Sequence, residues 1–162
     1  MALTSDTDTD PPAILEVPLL ALAVSGDRAR QALDDALQPL RLRARHLGPL
    51  LIAAEEAPIA QNQLAERAGV DKSAMVRVVD DLHALGLVRR EPVPHDRRSY
   101  WIKVTPAGRR TLRRARARIE ELEDDLFFDL DSDDRRRAQQ AVLRLARGVA
   151  AATSRDDGAR QL

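Results

Sequence analysis

The sequence contains no cysteine, only four aromatic residues and no long apolar run. Without cysteine, disulfides, thiolate metal sites and thiol-based redox sensing are excluded. The three histidines are too few to favour a histidine-rich metal site, and we expect neither a metal nor a cofactor. With so few aromatics the core must consist of Leu, Val, Ile and Ala, a composition that favours helices.

The length of 162 residues fits one domain, or one domain with extensions. Hydrophobic residues make up 44% of the chain, which is enough for a core and excludes wholesale disorder. The 26 basic residues balance the 26 acidic ones, so the net charge is zero. This total by itself points away from nucleic acid, because nucleic-acid-binding domains are usually basic.

The N-terminal region has no targeting or membrane signal. Residues 1–12 lack a basic segment and indicate a disordered acidic tail. The apolar stretch 14–24 is short and is interrupted by Glu16 and Pro18, so it predicts neither a signal peptide nor a membrane span. We therefore expect a cytoplasmic protein.

Apolar periodicity predicts six helices and one β-hairpin. The hairpin strands are predicted at 87–91 and 99–104, joined by a polar loop over 92–98, and a further short β element precedes the third helix. The predicted helices span about Pro18 to Pro39, Ala44–Glu56, Gln61–Ala68, Asp71–Leu85, Pro106–Leu130, and Ser132 to about Ala152.

This order predicts a mainly α fold with a small β-hairpin wing. A short helix, a turn, a longer helix and a hairpin form the winged helix-turn-helix arrangement, which we expect over 44–104. The helices over 13–40 and 105–152 carry apolar stripes that lack a partner in so small a domain, so we expect them to form a homodimer. Residues 153–162 are expected to form a flexible tail.

The zero net charge is the sum of basic and acidic segments along the chain. Residues 59–118 hold fourteen basic and six acidic residues, a net charge of +8. Residues 119–134 hold nine carboxylates and no cation, and residues 1–26 add four more carboxylates. The predicted helix-turn-helix and hairpin therefore form one basic block.

The second helix of the motif has an outward stripe suited to a DNA groove. Ser73 and Arg77 lie on this stripe, and Lys72 lies at its entering end. An arginine there can make a bidentate contact to guanine, whereas a serine and a lysine suit phosphates or adaptable base contacts. The alternative interpretation is an ordinary solvated helix face.

The tip of the hairpin carries Asp96, Arg97 and Arg98. Arginine is well suited to the negative potential of a minor groove, and Asp96 would brace the arginine fork. The alternative is an exposed loop whose charges only keep it soluble.

The sequence resembles the MarR (multiple antibiotic resistance regulator) family in three segments. These are Leu64–Leu82, Leu85–Arg90 and Asp96–Arg109, the last beginning Asp-Arg-Arg-Ser-Tyr-Trp and containing Thr-Pro-Ala-Gly. The resemblance covers about residues 15–150 in helix order and is specific over about 60–110.

This resemblance implies a homodimeric transcriptional regulator, usually a repressor, that binds double-stranded DNA at a pseudo-palindromic operator. Arg98 matches the wing arginine that enters the minor groove, Asp96 matches its brace, and Ser73 and Arg77 match positions that touch DNA. We extend the expected DNA contacts to Lys72 and Arg97, and to Gln61 and Asn62 at the start of the first motif helix.

The segment Arg43–Pro49 departs from the family, since it lacks the Thr-x-x-Gln-aromatic pattern at the start of the second helix. Family members often bind a small effector near this segment. Arg43 and His46 are candidate contacts to an effector of unknown identity, although a surface arginine and histidine are the alternative. Trp101 is interpreted as a packing residue rather than a ligand platform.

Two other function classes compete with a DNA-binding regulator. An enzyme is disfavoured because the chain has no Gly-rich phosphate loop, nucleophile elbow or His/carboxylate cluster. The acidic run Glu120–Asp134 could suggest a metal, but its helical spacing favours a solvated face. A winged-helix module that binds protein and not DNA remains the alternative, against which the basic block argues.

Overall fold

The computed structural model describes residues 16–93 and 96–159. The predicted acidic tail at 1–12 lies outside the described residues. The described elements are α1 (Pro18–Leu37), α2 (Ala44–Glu55), β1 (Ile59–Ala60), α3 (Gln61–Ala68), α4 (Lys72–Ala84), β2 (Val88–Val93), β3 (Asp96–Val104), α5 (Pro106–Leu126) and α6 (Ser132–Ala159).

This order confirms the predicted mainly helical fold with a small hairpin, including the short β element before the third helix. A 3₁₀ turn over Gln38–Leu40 follows α1, where Pro39 marks the end of the predicted first helix. Gly69 and Gly86 follow α3 and α4 with φ angles of 61° and 69°. These left-handed conformations suit glycine and explain why both helices end there.

The hairpin differs from its prediction, because its strands are longer and its tip is shorter. Most of the predicted loop over 92–98 is strand, with Pro92 paired to Tyr100 and Val93 to Asp96 across a register shift. The sheet order β1-β3-β2 makes β2 an edge strand. Proline is tolerated in an edge strand because its missing N–H breaks no ladder hydrogen bond, which is why a Pro-rich stretch continues the strand.

The two C-terminal helices also end at positions other than those predicted. Helix α5 stops at Leu126, earlier than expected, and a turn over 127–129 follows it. Asp131 then caps the next helix by accepting hydrogen bonds from the amides of Asp133 and Asp134 at 2.8 and 2.9 Å. Helix α6 continues to Ala159, past Thr153, where a flexible tail was expected. No proline interrupts this stretch, so nothing local stops the helix.

The described residues divide into two compact units, one ending at Leu122 and the other beginning at Glu123. The first unit contains an aliphatic core, as the composition predicts. Its most deeply buried side chains come from every helix from α1 to α5 and from the sheet, and include Leu37, Leu50, Leu64, Met75, Leu82, Ile102 and Ala115.

The second unit carries most of the acidic run, and three carboxylates of the run pair with nearby arginines. Arg135 bonds Asp124 at 2.6 Å and lies 5.7 Å from the Phe127 ring centroid. Asp133 and Asp134 pair with Arg136 and Arg137, each at 3.0 Å. These exposed pairs fit the interpretation of the run as a solvated face. Within the described residues, no group of three or more candidate ligands is arranged to hold a metal ion.

None of the described helices is both long enough and apolar enough to cross a membrane.

Gly108, in the first turn of α5, lies close to the backbone at the start of the hairpin. A Cβ built there would lie 2.1 Å from the Leu87 carbonyl oxygen and 2.8 Å from Val104 Cγ1. The Thr105 hydroxyl accepts from the Gly108 amide at 3.0 Å and donates to the Gly86 carbonyl at 2.7 Å. The backbone is thus held where only glycine fits.

We predict that Gly108→Ala lowers the free energy of unfolding by about 1–3 kcal/mol, because the methyl group collides with fixed backbone. Gly48→Ala is the matched control. A Cβ at Gly48, inside α2, meets nothing within 4 Å, so alanine there should stabilise by up to about 1 kcal/mol. Urea denaturation of both variants measures the difference, and equal effects at the two sites would contradict the packing argument.

Candidate nucleic-acid interface

Helix α4 begins at a complete side-chain cap. The Asp71 carboxylate accepts from the amides of Ser73 and Ala74 at 2.8 and 3.2 Å, and also from the Ser73 hydroxyl. These hydrogen bonds, that of the hydroxyl first, lower the pKa of Asp71. Since the Ser73 proton is donated to Asp71, its oxygen is left as an acceptor toward a ligand.

Helix α4 buries one face and exposes the other, as predicted. Its buried side chains are Met75, Val78, Val79 and Leu82. Lys72, Ser73, Arg77 and Asp80 are exposed along the opposite face. This arrangement leaves a polar surface with two cations near the N-terminal end of the helix.

Val76 lies on the same outward face and was missed by the sequence interpretation. Its side chain is 42% exposed although it is a β-branched apolar residue. The signal in the sequence was its position directly before Arg77, one place outside the apolar stripe. An exposed valine among polar neighbours offers a methyl surface to a partner.

Asp80 holds α4 to the hairpin and to α3 through Arg90. Arg90 lies 2.6 Å from Asp80 and donates to Gln61 Oε1 at 3.3 Å. Gln61 is half-buried and its side-chain oxygen already accepts from Arg90, whereas Asn62 is exposed. Of the two expected contacts on α3, Asn62 is therefore the more accessible.

The base of the hairpin is braced by a charge cluster. Glu91 accepts from Lys103 at 2.5 Å and lies 3.0 Å from Arg89. The hydrogen bond from Lys103 is the main cause of the lowered pKa of Glu91. Trp101 is partly buried and pairs across the sheet with Ala60 and Glu91, consistent with the expected packing role.

Beyond this base the backbone of Asp96, Arg97 and Arg98 belongs to β3, immediately after the tip. Their side chains lie outside what the structure describes, as do residues 94 and 95. The expected brace between Asp96 and the wing arginines therefore stays a prediction.

Exposed arginines continue from the hairpin onto α5. Arg109 donates to the carbonyl of Ala54 at 3.3 Å. Arg110, Arg113 and Arg114 are exposed, and no carboxylate of the described residues lies within ion-pair distance of them. Among the described residues, no ion pair offsets their mutual repulsion.

Comparison with known proteins identifies the family. A model of the MarR family matches residues 49–99. A putative transcriptional regulatory protein for the hcr operon of Thauera aromatica is 33% identical over 88 residues, which are 54% of this chain and 53% of that protein. The chain thus matches about half the length of this curated relative.

Solved structures match over most of their length. A MarR-family transcriptional regulator from Rhodococcus sp. RHA1 is 29% identical, with a TM-score of 0.73 and coverage of 84% of this chain and 96% of that chain. CouR from Rhodococcus jostii RHA1, bound to p-coumaroyl-CoA, is 30% identical, with a TM-score of 0.69 and the same coverage. The chain belongs to the MarR family. The repressor CouR bound to a 23-mer DNA duplex is 27% identical, with a TM-score of 0.75 and coverage of 82% and 94%.

The segment Arg43–Pro49, which departs from the MarR pattern, caps the start of α2 in a different way. Arg43 precedes α2 where an acceptor side chain would cap the helix, and its guanidinium cannot accept a hydrogen bond. Instead His46 Nδ1 accepts from the Arg43 amide at 3.0 Å. His46 therefore performs the reciprocal half of a capping box, a role usually filled by Glu or Gln.

The alternative of a surface histidine is wrong, since His46 is only 4% exposed. Its Nε2 lies 3.3 Å from Asp81 Oδ2. Because Nδ1 accepts from an amide, the ring proton resides on Nε2 and is donated to Asp81. With both nitrogens engaged, His46 offers no free contact to an effector. Arg43 is exposed, as the surface alternative expected.

Burial is the main cause of the lowered pKa of His46, and Arg45 and Arg43 lower it further, against the opposing effect of Asp81. The folded state therefore resists protonation that the unfolded chain undergoes near pH 6.5. His46 stabilises the fold above about pH 6.5, and this contribution is lost as the pH falls below that value.

We predict that the free energy of unfolding decreases more steeply between pH 7.5 and 5.5 for the wild type than for His46→Gln. Glutamine can still accept from the Arg43 amide and donate to Asp81 but does not titrate. Urea denaturation at each pH measures this difference, with His83→Gln, at an exposed position, as the control for loss of a histidine. Parallel profiles for the wild type and His46→Gln would refute the assignment.

Proposed function

We propose that this protein is a homodimeric, sequence-specific transcriptional regulator that represses by binding a pseudo-palindromic operator in double-stranded DNA. The observation that carries the proposal is the outward face of α4, where two cations, a hydroxyl and a valine are exposed together. Family membership and the CouR–DNA structure support it. The protein would act in the cytoplasm, on the DNA of the nucleoid.

Each side chain of this face suits a different DNA group. Arg77 fits a bidentate contact to guanine in the major groove, and Lys72 fits a phosphate. Val76 fits the 5-methyl group of thymine, an apolar feature that marks a T·A pair. The Ser73 oxygen, whose proton goes to Asp71, fits a base amino group better than a phosphate.

The surrounding charge supports binding to the DNA backbone. The block over 59–118 carries a net charge of +8, and its exposed Arg110, Arg113 and Arg114 on α5 have no carboxylate of the described residues within ion-pair distance. Phosphates would relieve their repulsion. In this proposal Arg97 and Arg98 at the wing tip approach the minor groove, where narrow A·T-rich stretches attract arginine.

Exposed apolar side chains support a homodimer. In α1, Leu19 is 72% exposed, and in α6 Val142 and Leu145 are 60% and 53% exposed. Apolar residues at helical spacing are costly to leave in water and are typical of a helix that packs against another chain. A two-fold dimer would place its α4 helices on two half-sites about 34 Å apart.

A small-molecule effector is part of the proposal, but its identity is left open. The structure of CouR bound to p-coumaroyl-CoA supports an effector for this chain by similarity. Arg43, which is exposed, is the more suitable of the two candidate contacts because His46 is occupied within the fold.

We predict nanomolar binding to an operator in the DNA upstream of the gene, with an affinity that falls steeply between 50 and 200 mM salt. Arg77→Ala should weaken operator binding by about 1–3 kcal/mol, the value of one bidentate base contact. Arg98→Ala should also weaken it strongly. Fluorescence anisotropy with labelled duplexes measures both effects.

Arg144→Ala is the matched control, since it removes the same charge from an exposed position of α6 and should bind like the wild type. Absence of duplex binding by the wild type at 50 mM salt would refute the proposal. It would favour the alternative, a winged-helix module that binds protein and not DNA.

We predict that Leu145→Glu converts the dimer into a monomer, because it places a charge on the exposed apolar face of α6. Operator affinity should fall with it, since each monomer engages only one half-site. Sedimentation equilibrium measures the mass, and Arg144→Ala, one residue away, should stay dimeric. A Leu145→Glu variant with the wild-type mass would exclude this face from the dimer.

A further inference from the structure

His46 is the one buried polar or charged side chain among the described residues of the core. It lies in the first turn of α2, and its ring reaches Asp81 on α4. All other fully buried side chains around α4 are apolar. The contact between α2 and α4 therefore combines an apolar interface with a partly buried hydrogen bond from His46 and an exposed one from Arg45.

Asp81 receives two donors on the same oxygen. His46 Nε2 lies 3.3 Å from Oδ2, and Arg45 NH2 donates to that oxygen at 2.9 Å. Both donors lower the pKa of Asp81, the hydrogen bond from His46 most strongly, so the carboxylate is ionised at neutral pH. Arg45 is exposed and its pair is open to solvent screening, so the buried His46 is the better-defined partner.

The same end of α2 is also joined to α1. Asp34 Oδ1 accepts from the Ala44 amide at 2.6 Å. One residue earlier, the Arg43 amide donates to His46. A continuous set of polar contacts therefore runs from α1, through the first turn of α2, to α4.

Apolar packing alone does not fix the rotation of α4 about its axis. The buried face of Met75, Val78, Val79 and Leu82 is attracted without directional preference. A rotation of about 15° would move a group about 8 Å from the helix axis by about 2 Å, enough to break a base contact. A directional hydrogen bond from the buried His46 ring to Asp81, on the flank of the helix, opposes such a rotation.

We propose that His46 is a positioning residue for DNA recognition, which holds α4 through Asp81 in the rotation that presents Arg77 to the bases. This inference rests on the proposed function and assigns its specificity to a residue that does not touch DNA. It predicts that losing the His46–Asp81 bond impairs discrimination between sequences more than attraction to phosphates.

The test compares His46→Leu with His46→Gln. Leucine fills the buried site but neither accepts nor donates, whereas glutamine can do both. For each variant, anisotropy gives the Kd for an operator duplex selected by the wild type from a random pool, and for an unrelated duplex at the same salt. Urea denaturation first establishes conditions in which each variant is folded.

His46→Leu should raise the operator Kd about tenfold or more, the scale of one lost base contact, with the Kd for unrelated DNA unchanged. His46→Gln should restore the wild-type ratio of the two values to within about threefold. Leu47→Ala is the control, because it removes buried volume from the same turn of α2 without touching the polar contact. It should lower stability and leave the ratio unchanged.

If His46→Leu does not fold, Asp81→Ala tests the same bond from a side chain that is 43% exposed, and Asp81→Asn should retain it. The positioning role would be overturned if the ratio of the two Kd values stayed unchanged in His46→Leu or Asp81→Ala. It would also be overturned if His46→Gln failed to restore that ratio. A wild type that prefers no sequence in the pool would instead overturn the proposed function.

Discussion

The rotation of α4 depends on a few polar contacts at the edge of an aliphatic core. A core without buried aromatic rings offers many interchangeable contacts and little directional information. Direction comes from neighbouring carboxylates on α4: Asp80 pairs with Arg90 of the hairpin, and Asp81 pairs with α2. The helix that carries the candidate DNA face is thus held on both flanks by polar contacts, and of these contacts that of His46 has the most buried partner.

The neutral total charge is a sum of regions with different physical roles. In the second unit, three carboxylates of the acidic run, Asp124, Asp133 and Asp134, pair with arginines of α6. The arginines at the start of α5 have no such partners among the described residues. A zero net charge of the chain is therefore compatible with unpaired arginines at the start of α5, because these three carboxylates pair with arginines of their own unit.

Local sequence signals predicted most helices and strands, while contacts between residues distant in sequence determined the length of the hairpin strands and the exposure of single side chains. Helix boundaries followed from Asp71, Gly69 and Gly86, whose capping and left-handed conformations are local properties. The hairpin strands were predicted too short because proline was expected to end them. Proline is tolerated in an edge strand, which has only one neighbouring strand, and the sequence does not reveal which strand lies at the edge of the sheet. Val76 was missed because an apolar residue is expected inside, although its position one place outside the apolar stripe indicated the exposed face on which the structure places it.

The segment that departs from the MarR pattern also explains why His46 was misinterpreted. In the sequence alone, a histidine that follows Arg43 and Arg45 suggests a hydrated surface, because charged residues are mostly exposed. The structure instead uses the imidazole as a neutral group with one acceptor and one donor, as a glutamine would be used at the third position of a helix. Arg43, which cannot cap α2 with its side chain, leaves the capping to His46. The departure thus retains the capping function and adds a bond to α4, which makes the start of α2 part of the support for the DNA-binding helix.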